Sequence, residues 1–115
     1  MEDNRMAKYE RLVTGNFNDI LYKLDNAVIK GSISASYEDG TDYHRDDFHF
    51  ALRIYERYSY WGKNRVSMTI TIVGRDGQYK VTAVTSGGSQ AMFFKINRWG
   101  ENNFLKTVIN IIDSL

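Results

Sequence analysis

Hydrophobic and polar residues alternate with two different periods along this chain. Over residues 17–30, and again over residues 104–115, apolar positions recur every three or four residues, which is the spacing of one buried helical stripe. Between these segments the period changes to two, which is typical of strands with one buried face. Asn16 is a suitable N-cap for the first helix, and Gly31 is a suitable end for it. A short strand is predicted before that helix, over residues 8–13.

Turn signals divide the period-two region into four strands. The predicted turns are Asp39-Gly40, Gly62-Lys63-Asn64 and Asp76-Gly77. Because these connections are short, neighbouring strands are expected to be antiparallel. The predicted fold is therefore a single α+β domain over residues 1–115, in the order β-α-β-β-β-β-α, with an antiparallel meander sheet and two helices on one face. This order is similar to the TBP-like arrangement, and the analogy transfers no DNA binding.

The alternation also predicts which side chains face the helices and which face away. On the second meander strand we expect Phe48, Phe50, Leu52 and Ile54 to face the helices. The opposite face is then a solvated surface or a docking surface, and Arg and Tyr are common at the centres of interfaces. The residues expected on that face are Ser32, Ser34, Ser36, Arg53, Tyr55, Arg57, Ser67, Thr69, Thr71, Lys80, Thr82 and Val84.

Composition narrows the classes of function. The chain has 115 residues, a formal net charge of +1 and no cysteine. The near balance of charge does not favour nucleic acid as a partner, because sequence-independent binding of nucleic acid needs a basic excess. The charged first residues lack an apolar segment, and no apolar run approaches the length of a membrane span. We therefore expect a cytoplasmic protein with no membrane partner.

Candidate catalytic groups are few. His44 and His49 are the only histidines, and in one regular strand they would point to opposite faces. Asp47 shares a face with His49, but two ligands are too few to specify a metal site. No nucleophile elbow or phosphate loop is present. We predict no cofactor, no metal and no enzymatic activity; a catalytic pair of Asp47 and His49 is the weakest alternative.

Residues 85–101, TSGGSQAMFFKINRWGE, are the least ordinary segment. Gly87-Gly88 can form a bend that ends the fourth meander strand. Alternatively, the backbone around these glycines can form an anion site, or the aromatic residues that follow can line a pocket under the last helix. With the outward row of the second meander strand, the candidate binding residues are Arg53, Tyr55, Arg57, Ser86, Gly87, Gly88, Ser89, Gln90 and Trp99.

Several short segments resemble a family of small bacterial proteins known as a domain of unknown function. The resemblance rests on VIKGS, YERYSY, NRVS, TSGGSQA and FFKIN, and it covers most of the chain. It implies a bacterial, single-domain protein and assigns no site residues. The leading functional hypothesis is a non-catalytic binding module that self-associates through the open sheet face or an edge strand. The alternative is a small-ligand binder with a pocket between the sheet and the C-terminal helix.

Overall fold

The computed structural model describes residues 6–31, 35–59, 64–87 and 101–115. The predicted order of elements is confirmed, and so is the α+β class. The N-cap is also in place, since the backbone N–H of Asp19 donates to Asn16 Oδ1 at 3.0 Å. The elements are β1 (Met6–Thr14), α1 (Phe17–Gly31), β2 (Ala35–Arg45), β3 (Phe48–Ser59), β4 (Asn64–Arg75), β5 (Gln78–Gly87) and α2 (Glu101–Ser114).

The strands form one antiparallel sheet in the order β1-β5-β4-β3-β2. The meander from β2 to β5 is as predicted, and β1 completes the sheet beside β5. Strands β1 and β2 are therefore the two edges, and β4 lies near the middle.

Both helices pack on one face of this sheet, as predicted. Each helix buries one stripe: Ile20, Leu24 and Val28 on α1, and Leu105, Val108 and Ile112 on α2. Under them lie alternate residues of β4 and β5, which the two-residue period placed correctly. These residues are Val66, Met68, Ile70, Ile72, Tyr79, Val81 and Ala83.

The predicted turn at Asp39-Gly40 is wrong. Asp39 pairs with Ile54 and Gly40 pairs with Arg53, so β2 continues through both residues after a bulge between Tyr37 and Asp39. Gly40 is needed for close approach rather than for a turn, because a Cβ there would lie 2.7 Å from the Leu52 carbonyl oxygen. The chain reverses after Arg45, where Asp46 takes a left-handed conformation with φ of 55°.

The predicted facing of β3 is also wrong. Tyr55 is 1% exposed and pairs with buried Met68, and Ala51 is fully buried opposite Ile72. His49, Ala51, Arg53, Tyr55 and Arg57 therefore share the helix-covered face of the sheet. The predicted core row occupies the other face, which we call the open face, because none of the described helices packs on it. That row, the β3 apolar row, consists of Phe48, Phe50, Leu52 and Ile54.

Candidate functional site

A groove of about 530 Å³ runs between helix α1 and the β2 edge of the sheet. We call it the α1 groove. Its position follows from the fold, since α1 covers β3 and leaves β2 beside it. Most of its lining comes from one side of the helix, with one residue each from β2 and β3. The lining residues are Asn18, Leu21, Tyr22, Asp25, Ile29, Tyr37 and Arg53.

A tyrosine–carboxylate pair joins the helix to the sheet at this groove. The hydroxyl of Tyr55 on β3 donates to Asp25 Oδ1 on α1 at 2.6 Å. Burial of the phenol raises the pKa of Tyr55 well above its ordinary value, and the hydrogen bond to Asp25 raises it further. The Tyr37 ring meets the Tyr55 ring edge-on, with centroids 6.0 Å apart. Tyr55 therefore remains a neutral donor that fixes the position of the Asp25 carboxylate.

An arginine–carboxylate pair lies beside it. Arg53 donates from both terminal nitrogens to Asp42 on β2, at 2.6 Å and 3.1 Å. The same guanidinium donates to its neighbouring Leu52 carbonyl oxygen at 2.9 Å. This fork raises the pKa of Arg53 and lowers the pKa of Asp42. The charge of Arg53 is thus already matched within the protein.

The two histidines meet at the other end of α1. His44 and His49 are cross-strand partners in the β2–β3 hairpin, and their rings stack with centroids 5.9 Å apart. The expectation that they point to opposite faces is wrong, because the chain turns between them. The Phe17 ring of α1 stacks on the His49 ring, with centroids 4.7 Å apart. Both histidines line a second hollow of about 300 Å³, which shares Asn18 and Leu21 with the α1 groove.

Asp47 does not join His49 in that hollow. It belongs to the turn after β2, where its Oδ2 accepts a hydrogen bond from the Asp76 backbone N–H at 3.1 Å. Within the described ranges no cluster of three or more His, Asp or Glu side chains has a geometry suited to a metal ion. The structure therefore assigns Asp47 a role in holding two hairpin turns together.

The open face carries a different chemistry. The β3 apolar row runs along it, and Phe50 pairs with Val73 of β4. Tyr43 of β2 contacts the first member of the row, Phe48, with ring centroids 6.3 Å apart. Hydroxyl residues of β4 and β5 flank the row, where Ser67 and Ser86 share a hydrogen bond at 3.2 Å. Of the residues expected on this face, Arg53, Tyr55 and Arg57 lie on the helix-covered face instead.

The glycine-rich segment is described only up to Gly87. Gly87 pairs with Val66 at the end of β5, with φ of 128°. A Cβ at this position would lie 2.5 Å from the Arg65 carbonyl oxygen, so a close approach of two strands requires glycine here. This is a structural reason for the first glycine of the pair. Gly88, Ser89, Gln90 and Trp99 lie outside the described residues.

The family profile of DUF6054, described as a family of unknown function, matches residues 6–115. The chain belongs to this family. The resemblance inferred from the short segments is thereby confirmed at the level of the family. A search of curated protein sequences found no match. Among the described residues of this DUF6054 member, no helix is long and apolar enough to cross a membrane.

Solved structures of similar fold share little sequence with this DUF6054 chain. A hypothetical protein of Helicobacter pylori matches with a TM-score of 0.50 at 11% identity, over 95% of this chain and 88% of that one. The Ran-binding protein Mog1p of Saccharomyces cerevisiae matches with a TM-score of 0.48 at 7% identity, over 94% of this chain and 63% of Mog1p. LpqN of Mycobacterium tuberculosis, involved in cell envelope biogenesis, matches with a TM-score of 0.45 at 14% identity, over 96% of this chain and 60% of LpqN. The chain thus spans less than two thirds of the last two proteins, and the likeness concerns fold alone.

Sequence reasoning missed Tyr22, Asp25 and Tyr37 of the α1 groove, and it also missed Asp42, which pairs with Arg53 but does not line the groove. A signal for Asp25 was present, because it follows Leu21 by four residues and so flanks the buried stripe of α1. Asp42 carried no such signal, because the predicted turn at Asp39-Gly40 had removed it from a strand. Its contact with Arg53 depends on the true length of β2.

Proposed function

We propose that this protein is a non-catalytic interaction module that self-associates through the open face of its sheet. The observation that carries the proposal is the β3 apolar row, which no described helix covers. The four side chains of this row are half-buried within one chain, and an apolar patch that stays accessible inside a polar rim is a usual mark of an interaction site. The polar groups of the α1 groove, in contrast, are tied in pairs, which supports a binding role there rather than a catalytic one.

The open face has the area that a stable dimer needs. Five strands at a spacing of about 4.8 Å are about 24 Å wide, and strands of 9 to 12 residues are about 30–40 Å long. The face therefore offers about 800 Å². This is the area that each partner of a standard interface buries, about 800 Å². Two such faces can stack as in a β-sandwich, with their rows interdigitating.

A second copy of the chain suits this face because its charges are of both signs. Glu10 accepts from Lys80 at 3.2 Å and from Thr82 at 2.9 Å on the β1–β5 side of the row. Glu56 and Arg65 pair at 2.9 Å near the end of β3. The charged groups named here are paired within one protomer, so a twofold arrangement brings no large like-charged areas together.

The face is favoured over the β2 edge strand as the interface. Strand β2 has a bulge between Tyr37 and Asp39 and carries charged residues along its length. Both features oppose pairing with another strand, and natural sheets use them to protect their edges. The β3 apolar row has no such protection, because on this face it consists of four consecutive large apolar side chains with no charged residue between them.

Light scattering of the wild type and of Leu52→Lys tests the proposal. We expect a dimer for the wild type and a monomer for Leu52→Lys, since a lysine in the middle of the row would be buried without a partner. Tyr22→Lys is the matched control, because Tyr22 is 67% exposed on α1, away from the open face. It should remain a dimer. A wild type that stays monomeric as concentration rises, or a dimer that Leu52→Lys leaves intact, would refute self-association through this face.

A further inference from the structure

The α1 groove has the size and the walls of a ligand site. Its volume of about 530 Å³ lies within the usual range for small-molecule sites, about 300–1,000 Å³. Two tyrosines line it from opposite elements, with Tyr22 on α1 67% exposed and Tyr37 on β2 51% exposed. Ile29, 37% exposed, and Leu21 add aliphatic surface. Large exposed apolar groups are thus gathered around one groove.

The charges at the groove select a class of ligand. Asp42 occupies both terminal nitrogens of Arg53, so this guanidinium has its counter-ion within the protein. Among the described residues, no cation forms an ion pair with Asp25, and its Oδ1 accepts a hydrogen bond from the neutral Tyr55 hydroxyl. Of the charged side chains that line the groove, Arg53 is already paired with Asp42, so the carboxylate of Asp25 is the one whose charge is not compensated by an ion pair. A ligand carboxylate would meet repulsion here, whereas a cation would meet Asp25.

Tyrosine side chains and a carboxylate together are the chemistry that recognises organic ammonium ions. The faces of aromatic rings attract cations, and the attraction grows when the cation is partly removed from water. An alkyl or aryl body on the same ligand would cover Leu21 and Ile29. We propose that the α1 groove binds an organic ammonium ion carried on an apolar body, with Asp25 as the charged contact and Tyr22 and Tyr37 as its aromatic walls.

This site is independent of the proposed dimer. The α1 groove lies on the helix-covered side of the sheet, and the β3 apolar row lies on the open side. Binding is therefore expected in the wild type and in the Leu52→Lys variant alike. Loss of the dimer with retained binding would separate the two proposals.

Titration with benzyltrimethylammonium, followed by amide chemical shifts of the labelled protein, tests the ammonium site. Neutral benzyl alcohol and anionic phenylacetate are the matched probes. We expect saturable shifts at Tyr22, Ile29 and Tyr37 with the ammonium, and an affinity at least about tenfold weaker for the other two probes. Shifts confined to the open face, no saturation with the ammonium, or equal binding of phenylacetate would overturn the proposal.

Substitutions at the groove identify the charged contact. Asp25→Asn keeps an oxygen for the Tyr55 hydroxyl and removes the charge, so we expect about tenfold weaker binding of benzyltrimethylammonium. Asp19→Asn, on the same helix and outside the groove lining, is the matched control and should bind as the wild type does. Tyr37→Leu should weaken binding severalfold, and it keeps the test open if Asp25→Asn fails to fold. Unchanged affinity in both folded groove variants would refute the assignment.

Discussion

Strands β3 and β4 are neighbours of equal length, 12 residues each, and both alternate between two kinds of side chain. In β4 the aliphatic set, Val66 to Ile72, faces the helices and the hydroxyl set faces outward. In β3 the order is reversed, because Arg53 and Tyr55 face the helices while Leu52 and Ile54 face outward. Alternation therefore separates the two faces of a strand, but it does not by itself say which face is buried.

The difference comes from the side chains that pack against the helix-covered face of each strand. Strand β4 lies near the middle of the sheet, under aliphatic stripes of both helices, where a polar group would have no partner. Strand β3 lies toward the β2 edge, where α1 offers Asp25 and β2 offers Asp42. These carboxylates satisfy Tyr55 and Arg53, so that a large, partly polar row can be buried there.

The largest expected effect comes from comparing one alanine substitution on each face of β3. Tyr55→Ala removes a fully buried aromatic ring and should lower the free energy of unfolding by about 3–5 kcal/mol. Ile54→Ala, on the half-buried open face, should cost about 1 kcal/mol. Urea unfolding in the Leu52→Lys background measures both without a contribution from a dimer. A larger loss for Ile54→Ala than for Tyr55→Ala would mean that the facing of β3 described above is reversed.

Charge reversal at Arg53 is expected to have the next largest effect. Arg53→Glu places a new carboxylate next to that of Asp42. The Arg53 side chain is only 17% exposed in the wild type. We expect a loss of at least about 2 kcal/mol in the free energy of unfolding. Asp42→Arg should restore part of that loss when combined with Arg53→Glu, which a double-mutant cycle would show. If Arg53→Glu instead leaves the free energy of unfolding unchanged and dissociates a dimer, Arg53 belongs to the open face.

The sequence predicts an element correctly when local patterns determine its position and its packing partners are aliphatic. Helix α1, helix α2, β4 and β5 were predictable, because their apolar periods match local rules and their partners are aliphatic. The β2–β3 hairpin was not, because Asp39-Gly40 has the chemistry of a turn and only the pairing of Gly40 with Arg53 shows that it is part of a strand. The α1 groove combines Asp25 of α1 with Tyr37 of β2, and Arg53 at its floor depends on Asp42 of β2; no local signal joins these residues.

A smaller effect is expected from the Tyr55 hydroxyl alone. Tyr55→Phe removes the hydrogen bond to Asp25 and should cost about 1–2 kcal/mol at neutral pH. Because burial raises the pKa of Tyr55, the folded protein keeps this proton at alkaline pH while the unfolded chain loses it. The free energy of unfolding of the wild type should therefore fall as pH rises above the ordinary tyrosine value of about 10. Unfolding curves between pH 8 and pH 11 should show a shallower decline for Tyr55→Phe, and equal slopes would contradict the burial of this phenol.

The smallest expected effect concerns the stability of the protein at acid pH, through the ion pair of Asp42 and Arg53. The hydrogen bonds from Arg53 hold the pKa of Asp42 below its ordinary value of 3.8, so this contribution is complete above that pH and is lost as pH falls through the lower folded value. The free energy of unfolding should decline less steeply below pH 4 in Asp42→Asn than in the wild type. In an Arg53→Gln background the pKa of Asp42 loses its main cause of depression, so Asp42→Asn should then leave the acid slope unchanged. A slope change of equal size in both backgrounds would mean that Asp42 is held by something other than Arg53, and that the guanidinium is not neutralised as the ammonium site requires.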